Sequence, residues 1–475
     1  MLNTLNDVLN NVDNFIWGMP LIILILFTGI LLTVRLRGLQ VRHLGKALHY
    51  VFHNEDDGEG EVTSFGALCT ALSATIGTGN IVGCATAIVA GGPGALFWMW
   101  LAAFFGMATK YAEGMLAVKY RVIAEDGHAL GGPFYYIEKG MGKNFKWLAK
   151  LFCIFGTMVG LFGIGTFTQV NGITSAVNNF FDSSNVHTIS LFGMNYSISV
   201  VVAGIIVTVC VGLVIIGGIK RISKVSEIIV PFMAVTYIGV CLLIVLTHLP
   251  QVPVAFGQII QSAFGLKAAA GGAIGAMTVA MQKGIARGIF SNEAGLGSAP
   301  IAAAAAQTNE PVRQGLVSMT GTFIDTIIVC TMTGLAIVMT GAWDMGLEGV
   351  AVTTKAFALG LPFPAKVSAF ILMMCLVFFA FTTILGWAYY SERCLEYLVN
   401  GKKFVITVFK WLYILAVFIG PFMTVSAVWT IADICNGLMA FPNLVALLAL
   451  NGEVVSETIG YLERIGIMKT AVDEA

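Results

Sequence analysis

A run of small polar residues interrupts an apolar stretch between Ser64 and Gly92. The stretch is long enough to cross a membrane, and its centre reads SATIGTGN at residues 73–80. Lipid cannot hydrogen-bond an open backbone, so an interrupted helix is stable in a membrane only where it lines a protein cavity or an ion site. The N–H groups freed there can bind an anionic group, and the freed carbonyls can bind a hard cation. The alternative is close helix packing through Gly79 and Gly83, which form a GxxxG pair.

Three other segments place groups that could complete such a site. Paired hydroxyls at Thr382 and Thr383 can add oxygen ligands for a cation, or bond the carbonyls of their own helix. The amide of Gln169 must face the bundle interior, where it can bind a ligand or join two helices. Trp387 follows Thr383 by four residues and so lies on the same helix face. It is interpreted as a wall that limits ligand size, against the alternative of an interfacial tryptophan.

Several charged residues also lie in or beside apolar segments. Asp325, in TFIDTIIV, is an intramembrane carboxylate that can act as a proton carrier or as a buried hydrogen-bond anchor, with the anchor favoured. Lys110 and Glu113 are spaced to pair on one helix. Glu293 is expected in a solvated gate or loop contact just beyond an apolar segment.

The composition predicts a polytopic membrane protein, all-α in class. Of 475 residues, 57% are hydrophobic and 11% charged, and the mean hydropathy is +0.86. The nine cysteines show no metal-ligand spacing and are expected to be reduced. Eleven apolar runs are long enough to cross about 30 Å of hydrocarbon. They lie near residues 15–34, 64–90, 94–118, 148–178, 197–217, 227–249, 268–290, 314–340, 367–392, 404–420 and 424–450.

The distribution of basic residues predicts the orientation. With the N-terminus outside and the C-terminus in the cytoplasm, the inner ends and loops hold all but three of the 26 Lys and Arg residues. Lys283 and Arg287 are counted on the inner side in this prediction, and Lys267, Lys355 and Lys366 remain outside.

After the first helix, ten predicted spans divide into two sets of five with opposite topology. The predicted organisation is an N-terminal helix and basic loop (1–63), a first five-helix repeat (64–249), a second, inverted repeat (250–450) and a cytoplasmic tail (451–475). Each repeat opens with a weakened helix, in the second case GGAIGAMTVAMQKGIARG at 271–288. Paired interruptions of this kind are typical of a midplane site between inverted repeats, and Gly275 is predicted to let the backbone approach a ligand there.

Two long motifs carry a family resemblance. TIGTGNIVGCATAIVAGGPGALFWMWLAAFFGMATKYAEGMLAVKYR and QKGIARGIFSNEAGLGSAPIAAAAAQ resemble the alanine/glycine:cation symporters of bacteria and archaea, over essentially the whole chain. The resemblance implies the leucine-transporter architecture of five plus five inverted helices with an additional N-terminal helix. It also implies sodium-coupled uptake of alanine or glycine across the inner (plasma) membrane, with glutamine favoured by some members.

The resemblance also implies roles for the polar residues. It assigns the Ser73 and Ile76 carbonyls to sodium, completed by the hydroxyls of Thr382 and Thr383. It assigns Thr78, Gly79 and Asn80 to the substrate carboxylate, and makes substrate contact by Gln169 more plausible than a purely structural bond. No cofactor beyond the coupling sodium ion is expected, and a monomer is expected by analogy.

Other function classes are less consistent with the sequence. A zero net charge gives no nucleic-acid footprint, and neither an HExxH motif nor a phosphate loop is present. A channel would need a filter motif, which the sequence does not offer. The nearest rival is a proton-coupled transporter of the same fold. Related proton-coupled proteins replace the sodium with a lysine on the span equivalent to 227–249, and that segment contains no lysine.

Overall fold

The computed structural model describes residues 2–54, 58–124, 127–191, 194–266, 272–423 and 426–466, and it is mostly helical. The helices of the first half of the chain are α1 Leu2–Ile16, α2 Met19–Arg35, α3 Leu39–Arg42, α4 Leu44–Phe52, α5 Ser64–Thr75, α6 Cys84–Gly91, α7 Gly94–Lys119, α8 Pro133–Gly140, α9 Lys146–Phe162, α10 Phe167–Phe181, α11 Ile198–Ile215 and α12 Gly218–Thr247.

The remaining helices are α13 Val252–Ala263, α14 Ala273–Asn292, α15 Ala299–Ala303, α16 Pro311–Thr322, α17 Thr331–Thr340, α18 Val350–Gly360, α19 Ala365–Leu398, α20 Lys403–Ile419, α21 Ser426–Ala449 and α22 Asn451–Arg464. Two π-helical turns, Gly79–Gly83 and Phe323–Cys330, continue directly into α6 and α17. Two antiparallel hairpins complete the described elements: β1 Val122–Ile123 with β2 Ala129–Leu130, and β3 Thr188–Leu191 with β4 Met194–Ser197. Short 3-10 turns lie at Lys143–Phe145, Leu249–Gln251, Ala342–Asp344 and Gly420–Phe422.

The apolar runs of the sequence form helices, as expected of a multi-pass membrane protein. Among the described residues, eight helices are long and apolar enough to cross a membrane, or nine when the bent pair α5 and α6 counts as one span. The other two predicted spans correspond to the helices α7 and α14. Crossing by all eleven, and the inverted repeat, remain predictions.

The first predicted interruption is present in the structure. Helix α5 ends at Thr75, the outer half resumes at Gly79, and the two halves meet at an angle of 53°. Ile76 adopts extended backbone angles (φ −75°, ψ 92°), so the helix cannot continue through it.

The second interruption lies elsewhere than predicted. Within the described part of 271–288 the helix is unbroken, since α14 runs from Ala273 to Asn292. The chain breaks at 293–298, where Glu293, Gly295 and Gly297 have positive φ angles. Glycines at 284 and 288 serve close packing on α7, and not an interruption, because a Cβ at Gly284 would lie 2.2 Å from the carbonyl oxygen of Ala95. The prediction located the weak point by glycine content, whereas the break follows the left-handed residues of NEAGLGS.

A third interruption was not predicted. The span expected at 148–178 is divided into α9 and α10 by residues 163–166. Glycine is needed there for close packing, since a Cβ at Gly165 would lie 2.7 Å from both the Gly160 carbonyl oxygen and the Trp387 Cβ.

The chain direction defines two faces of the bundle. We call the end where α5 begins and α15 and α19 end the basic face, and the end where α6 stops and α7 begins the opposite face. Lys283 lies near the opposite face, because a Cβ at Gly91 would come 3.3 Å from its Cβ. Counting Lys283 and Arg287 at the same end as the start of α5 was therefore wrong: both lie before the break that follows Asn292, on the half of the span toward the opposite face.

Candidate functional site

The first break presents unpaired backbone groups at its outer half. The N–H of Gly77 donates to the Oδ1 of Asn80 (2.9 Å), and the N–H of Asn80 donates to the carbonyl of Gly77 (3.3 Å). Thr78 and Gly79 follow in the first turn of the outer half, where N–H groups have no intrahelical acceptor. These two N–H groups are therefore suited to bind an anion.

A cavity of about 380 Å³ reaches this turn from the opposite face. Among the predicted ligand residues, Thr78 and Gly79 line it. Its walls also contain Val82, Gly83, Thr86, Thr168, Asn171, Gly172, Ser175, Ala176, Arg287, Phe290, Val350, Leu376 and Asp433. A Cβ at Gly172 would lie 3.1 Å from the Cγ2 of Thr78, so α10 packs closely against the break at this wall of the cavity.

Asn80 lies behind the cavity and not in its wall. The side chain is fully buried, and its Nδ2 donates to the carboxylate of Asp325 (2.7 Å) and to the Oγ of Ser291 (3.0 Å). Ser291 and Thr326 donate to the other oxygen of Asp325, at 2.8 and 2.7 Å. Asp325 thus accepts hydrogen bonds from α14, from its own π-helical turn and from the turn that opens the outer half of the first broken helix.

The cation side of the break brings together Ile76 and Thr383. The hydroxyl of Thr383 donates to the carbonyl of Phe379 in its own helix (3.0 Å) and also lies 3.5 Å from the carbonyl oxygen of Ile76, a spacing at which two oxygens can share one hard cation. A Cβ at Gly77 would lie 2.5 Å from the hydroxyl oxygen of Thr383. A Cβ at Gly386 would lie 2.6 Å from the Cβ of Ala74. Glycine at these two positions allows α19 to approach the break this closely.

The other two predicted ion ligands are placed less directly. The Thr382 hydroxyl donates to carbonyls of its own helix, Phe378 at 3.1 Å and Phe379 at 3.0 Å, as the structural alternative anticipated. The Ser73 hydroxyl donates to the Thr70 carbonyl (2.7 Å), and the group predicted to bind the cation is the main-chain carbonyl of Ser73.

Gln169 and Gly275 differ in their relation to the cavity. Gln169 is 2% exposed, and its amide oxygen has no hydrogen-bond partner among the described residues. It lies one turn from Gly172 on the same face of α10, below the point where Gly172 meets Thr78. Gly275 is instead an exposed residue in the first turn of α14, away from the break and the cavity.

Trp387 connects the second break to α19. Its side chain is fully buried and its Nε1 donates to the Oε1 of Glu293 (3.1 Å), while Ser298 donates to the Oε2 (2.5 Å). The expectation of a solvated Glu293 was wrong, because the loop 293–298 folds into the bundle and buries the carboxylate. In this conformation Trp387 supports the second break and does not line the cavity.

The predicted pairing of Lys110 with Glu113 is also wrong. No ion pair joins them in the described chain; Glu113 accepts from the Asn443 amide (2.7 Å) and the Gly295 N–H (3.1 Å). Glu113 is therefore a second carboxylate that holds the 293–298 loop. Only the i, i+3 spacing was visible in the sequence, and the partner on α21 was not.

A third set of residues was missed because its signal is backbone geometry. Tyr413 is fully buried and its hydroxyl lies 2.7 Å from the carbonyl of Gly165 and 2.8 Å from that of Ile384. It joins the α9/α10 interruption to α19 beside the first break. The glycines of GLFGIG at residues 160–165 are the sequence signal that could have indicated the interruption between α9 and α10.

The described residues contain no side-chain cluster of the kind that binds a catalytic metal ion. Among them, no group of three or more His, Cys, Asp or Glu side chains is arranged to hold a metal ion, and their nine cysteines are all free. Backbone oxygens and hydroxyls around the break suit a weakly held hard cation instead.

The proteins that this chain resembles over nearly its full length are named as transporters. The model of the sodium:alanine symporter family matches residues 2–473. An uncharacterized transporter of Haemophilus influenzae is 55% identical over 99% of both chains. The sodium/alanine symporter AgcS of Methanococcus maripaludis is 46% identical over 96% of this chain and 97% of its own. The probable sodium/glutamine symporter GlnT of Bacillus subtilis is 36% identical over 97% and 91%.

These matches span the whole bundle, including the three interruptions and the residues around them, and they indicate transport and not catalysis. The chain belongs to the sodium:alanine symporter family.

Proposed function

We propose that this protein carries a small neutral amino acid, alanine or glycine, into the cell together with sodium. The observation that carries the proposal is the first break: the Ile76 carbonyl meets the Thr383 hydroxyl on one side, and Thr78 and Gly79 face a cavity on the other. An ion site and a ligand site separated by one turn of unwound backbone are suited to coupled transport.

The substrate side fits a zwitterion with a small side chain. Its carboxylate would bind the N–H groups of Thr78 and Gly79, reinforced by the positive end of the outer half-helix. The unpartnered amide oxygen of Gln169, one turn below Gly172, supplies an acceptor suited to the ammonium group. The close packing of Gly172 on Thr78 leaves little room beside these N–H groups, which supports a substrate with a small side chain.

The groups on the cation side of the break favour a bound sodium ion over a lysine side chain that would take its place. The carbonyls of Ser73 and Ile76 with the Thr383 hydroxyl give an oxygen set, to which Thr382 adds a ligand if its hydroxyl rotates from its own helix. Helix α12 presents Met233 at this point, 3.6 Å from the Thr382 hydroxyl, and not a lysine. Sodium and amino acid each raise the affinity for the other by the same factor, because coupling between two sites is reciprocal.

Alternating access completes the mechanism. With the N-terminus outside and the C-terminus in the cytoplasm, the cavity above Thr78 opens to the outside. The chain would have eleven spans, an N-terminal helix followed by two inverted repeats of five. Movement of one group of helices against the other around the break would release the ligands at the basic face. The functional unit is a monomer in the inner membrane.

The deciding experiment is uptake of radiolabelled alanine into proteoliposomes that contain the purified protein. An inward sodium gradient is compared with choline at matched pH, with empty liposomes as the control. Sodium-dependent accumulation that unlabelled glycine suppresses supports the proposal. Accumulation under a pH gradient alone would contradict sodium coupling and favour Asp325 as a proton carrier.

Glutamine is the second candidate substrate. The name of GlnT specifies glutamine for a relative that is 36% identical, and the cavity lined by Thr78 and Gly79 has a volume of about 380 Å³. Labelled glutamine is therefore included in the same assay. Sodium-dependent uptake of glutamine without uptake of alanine would overturn the substrate assignment and leave the coupling ion unchanged.

A further inference from the structure

The carboxylate of Asp325 contacts both broken helices at once. It is fully buried in the π-helical turn Phe323–Cys330. One oxygen accepts from Asn80, five residues past the end of α5, and the other accepts from Ser291, two residues before the second break. π-Helical turns inside membrane helices are frequently found at functional sites.

The direction of the hydrogen bonds is fixed by the chemistry of the groups. The N–H of Gly77 can only donate, so the atom of Asn80 that receives it is the amide oxygen. The amide nitrogen of Asn80 must then point at Asp325, and the reverse orientation would oppose its oxygen to a carboxylate. The result is a directed relay from Asp325 through Asn80 to the backbone of Gly77.

We propose that Asp325 is the positioning residue of the substrate site. Asp325 holds the Asn80 side chain in the orientation in which its amide oxygen accepts from the N–H of Gly77. This fixes the unwound turn, so that the N–H groups of Thr78 and Gly79 stay free for the substrate carboxylate. Through its hydrogen bond from Ser291, Asp325 also holds the end of α14 in a fixed position relative to this turn. This role rests on the proposed amino-acid transport, which supplies the ligand, but the relay itself is a property of the described chain.

The environment of Asp325 makes the relay strong. Asn80, Ser291, Thr326 and Asp325 are each fully buried, so water does not compete for the hydrogen bonds. Hydrogen bonds that involve an ionised group are roughly twice as strong as neutral ones. Asn80 is therefore a ligand-side residue only indirectly: its own side chain is committed to Gly77, Ser291 and Asp325.

The test exchanges the two ends of the relay. Asp325→Asn keeps the shape but removes the charge, Asn80→Asp places two carboxylates in contact, and the double variant Asn80→Asp/Asp325→Asn restores an acceptor for Gly77 and a donor between the two side chains. Thr320→Val is the matched control, since this buried hydroxyl bonds only Val317 of its own helix. All four variants and the wild type are purified and checked for monodispersity.

Two readouts separate the relay from the transport function. Amide hydrogen exchange of peptides that cover residues 74–83 reports the protection of Gly77 without any ligand. Equilibrium binding of labelled alanine at saturating sodium reports the substrate site. Loss of sodium-dependent binding by the wild type would contradict the proposed function, whereas the exchange measurement would still test the relay.

The expected order of effects is specific to a relay. Asp325→Asn raises the alanine dissociation constant about tenfold and speeds exchange at 74–83, Asn80→Asp raises it more than a hundredfold, and the double variant recovers to near the Asp325→Asn value. Thr320→Val stays within about twofold of wild type. Unchanged exchange in Asp325→Asn, or a double variant no better than Asn80→Asp alone, overturns the proposal. Loss of uptake with intact binding and exchange would instead mark Asp325 as a proton carrier.

Discussion

The two broken helices are held very differently at the basic face and at the opposite face. At the basic face, the segment before α5 pairs with the segment after α15 through a parallel bridge between Val62 and Ala306. The N–H of Gln307 donates to the Val62 carbonyl (2.7 Å), and the N–H of Glu61 donates to the Ala305 carbonyl (2.8 Å). We call this pairing of residues 59–62 with 305–308 the inner ladder.

Arg121 closes the inner ladder from the end of α7. Its guanidinium donates four hydrogen bonds of 2.6 to 3.0 Å, all to backbone carbonyls, which belong to Glu59, Ala304, Ala306 and Thr308. Arginine suits this place because its planar group presents several donors in fixed directions. One side chain thus joins three segments: the approach to α5, the end of α15 and the end of α7.

The opposite face has no comparable closure among the described residues. Arg287 and Asp433 both line the cavity above the break, yet they form no ion pair with each other there. Arg287 instead lies over the ring of Phe290, 5.6 Å from its centroid. The cavity therefore remains continuous from this face to Thr78 and Gly79.

The difference teaches which part of the molecule must rearrange. Backbone pairing and a multidentate arginine fix the basic face, while the opposite face depends on side chains around an open cavity. In the proposed cycle of alternating access, release at the basic face requires the inner ladder to open, and its closure at other times keeps the two faces from opening together. The following variants test that contrast.

The largest effect is expected from Arg121→Ala. The variant loses four hydrogen bonds from a charged donor, which weakens closure of the basic face by at least about 2 kcal/mol, or roughly 30-fold in the ratio of closed to open forms. Hydrogen exchange at residues 58–64 and 304–309 should rise and sodium-coupled alanine accumulation should fall at least about tenfold. Arg221→Ala is the control, because Arg221 bonds a single carbonyl, that of Leu213, at the same face. Equal effects of the two variants would contradict the role of the inner ladder.

A somewhat smaller effect is expected from Gly60→Ala, which tests the ladder without changing charge. A Cβ at Gly60 would lie 2.4 Å from the carbonyl oxygen of Ala306, so the two segments must separate, at a cost of about 1 to 3 kcal/mol. Gly142→Ala is the control for backbone strain: φ is 142° at Gly60 and 104° at Gly142, but a Cβ at Gly142 meets nothing within 4 Å. Exchange at 304–309 should rise in the first variant only, and a similar rise in both would assign the effect to strain.

Thr383→Val tests the bottom of the open cavity. Removing the hydroxyl beside the Ile76 carbonyl should raise the sodium concentration for half-maximal alanine uptake about tenfold, because a buried cation loses one oxygen ligand. Thr382→Val should shift it by less than about threefold, since the Thr382 hydroxyl bonds Phe378 and Phe379 of its own helix and has no contact with the Ile76 carbonyl among the described residues. Sodium titrations of uptake measure both. Equal shifts would show that Thr382 turns toward the ion when sodium binds.

The smallest effect is expected from Arg287→Gln at the mouth of the cavity. A partly exposed charge that makes no ion pair should change the alanine KM by about threefold or less, with a larger change at low ionic strength. Lys366→Gln, in the neighbouring cavity of about 240 Å³, is the control. Complete loss of uptake in Arg287→Gln would mean that closure of the opposite face depends on this residue as strongly as the basic face depends on Arg121.

Much of the bundle and half of the site could be predicted from residue type and order. Apolar runs of membrane length give the helices, because a segment in lipid must satisfy its backbone internally. The SATIGTGN run located the first break for the same reason, and Thr78 and Gly79 then follow from their place in the first turn of the outer half.

The second and third interruptions could not be located in this way. Glycines at 284 and 288 favour a break by composition, but they are used for contact with α7, and the chain bends at Glu293, Gly295 and Gly297. Whether a glycine permits close packing or a left-handed turn depends on what lies opposite, and a neighbour from a distant segment is not visible in local sequence.

Residue type and order were enough to predict a membrane protein of the sodium:alanine symporter family with a broken helix at residues 76–78, because hydrophobicity and backbone hydrogen bonding are local properties. Three contacts became known only from the fold: Asn80 faces Asp325, Trp387 binds Glu293, and Arg121 joins the two broken helices at the basic face. Each of these contacts brings together residues far apart in the chain, and their partners are selected by packing in three dimensions.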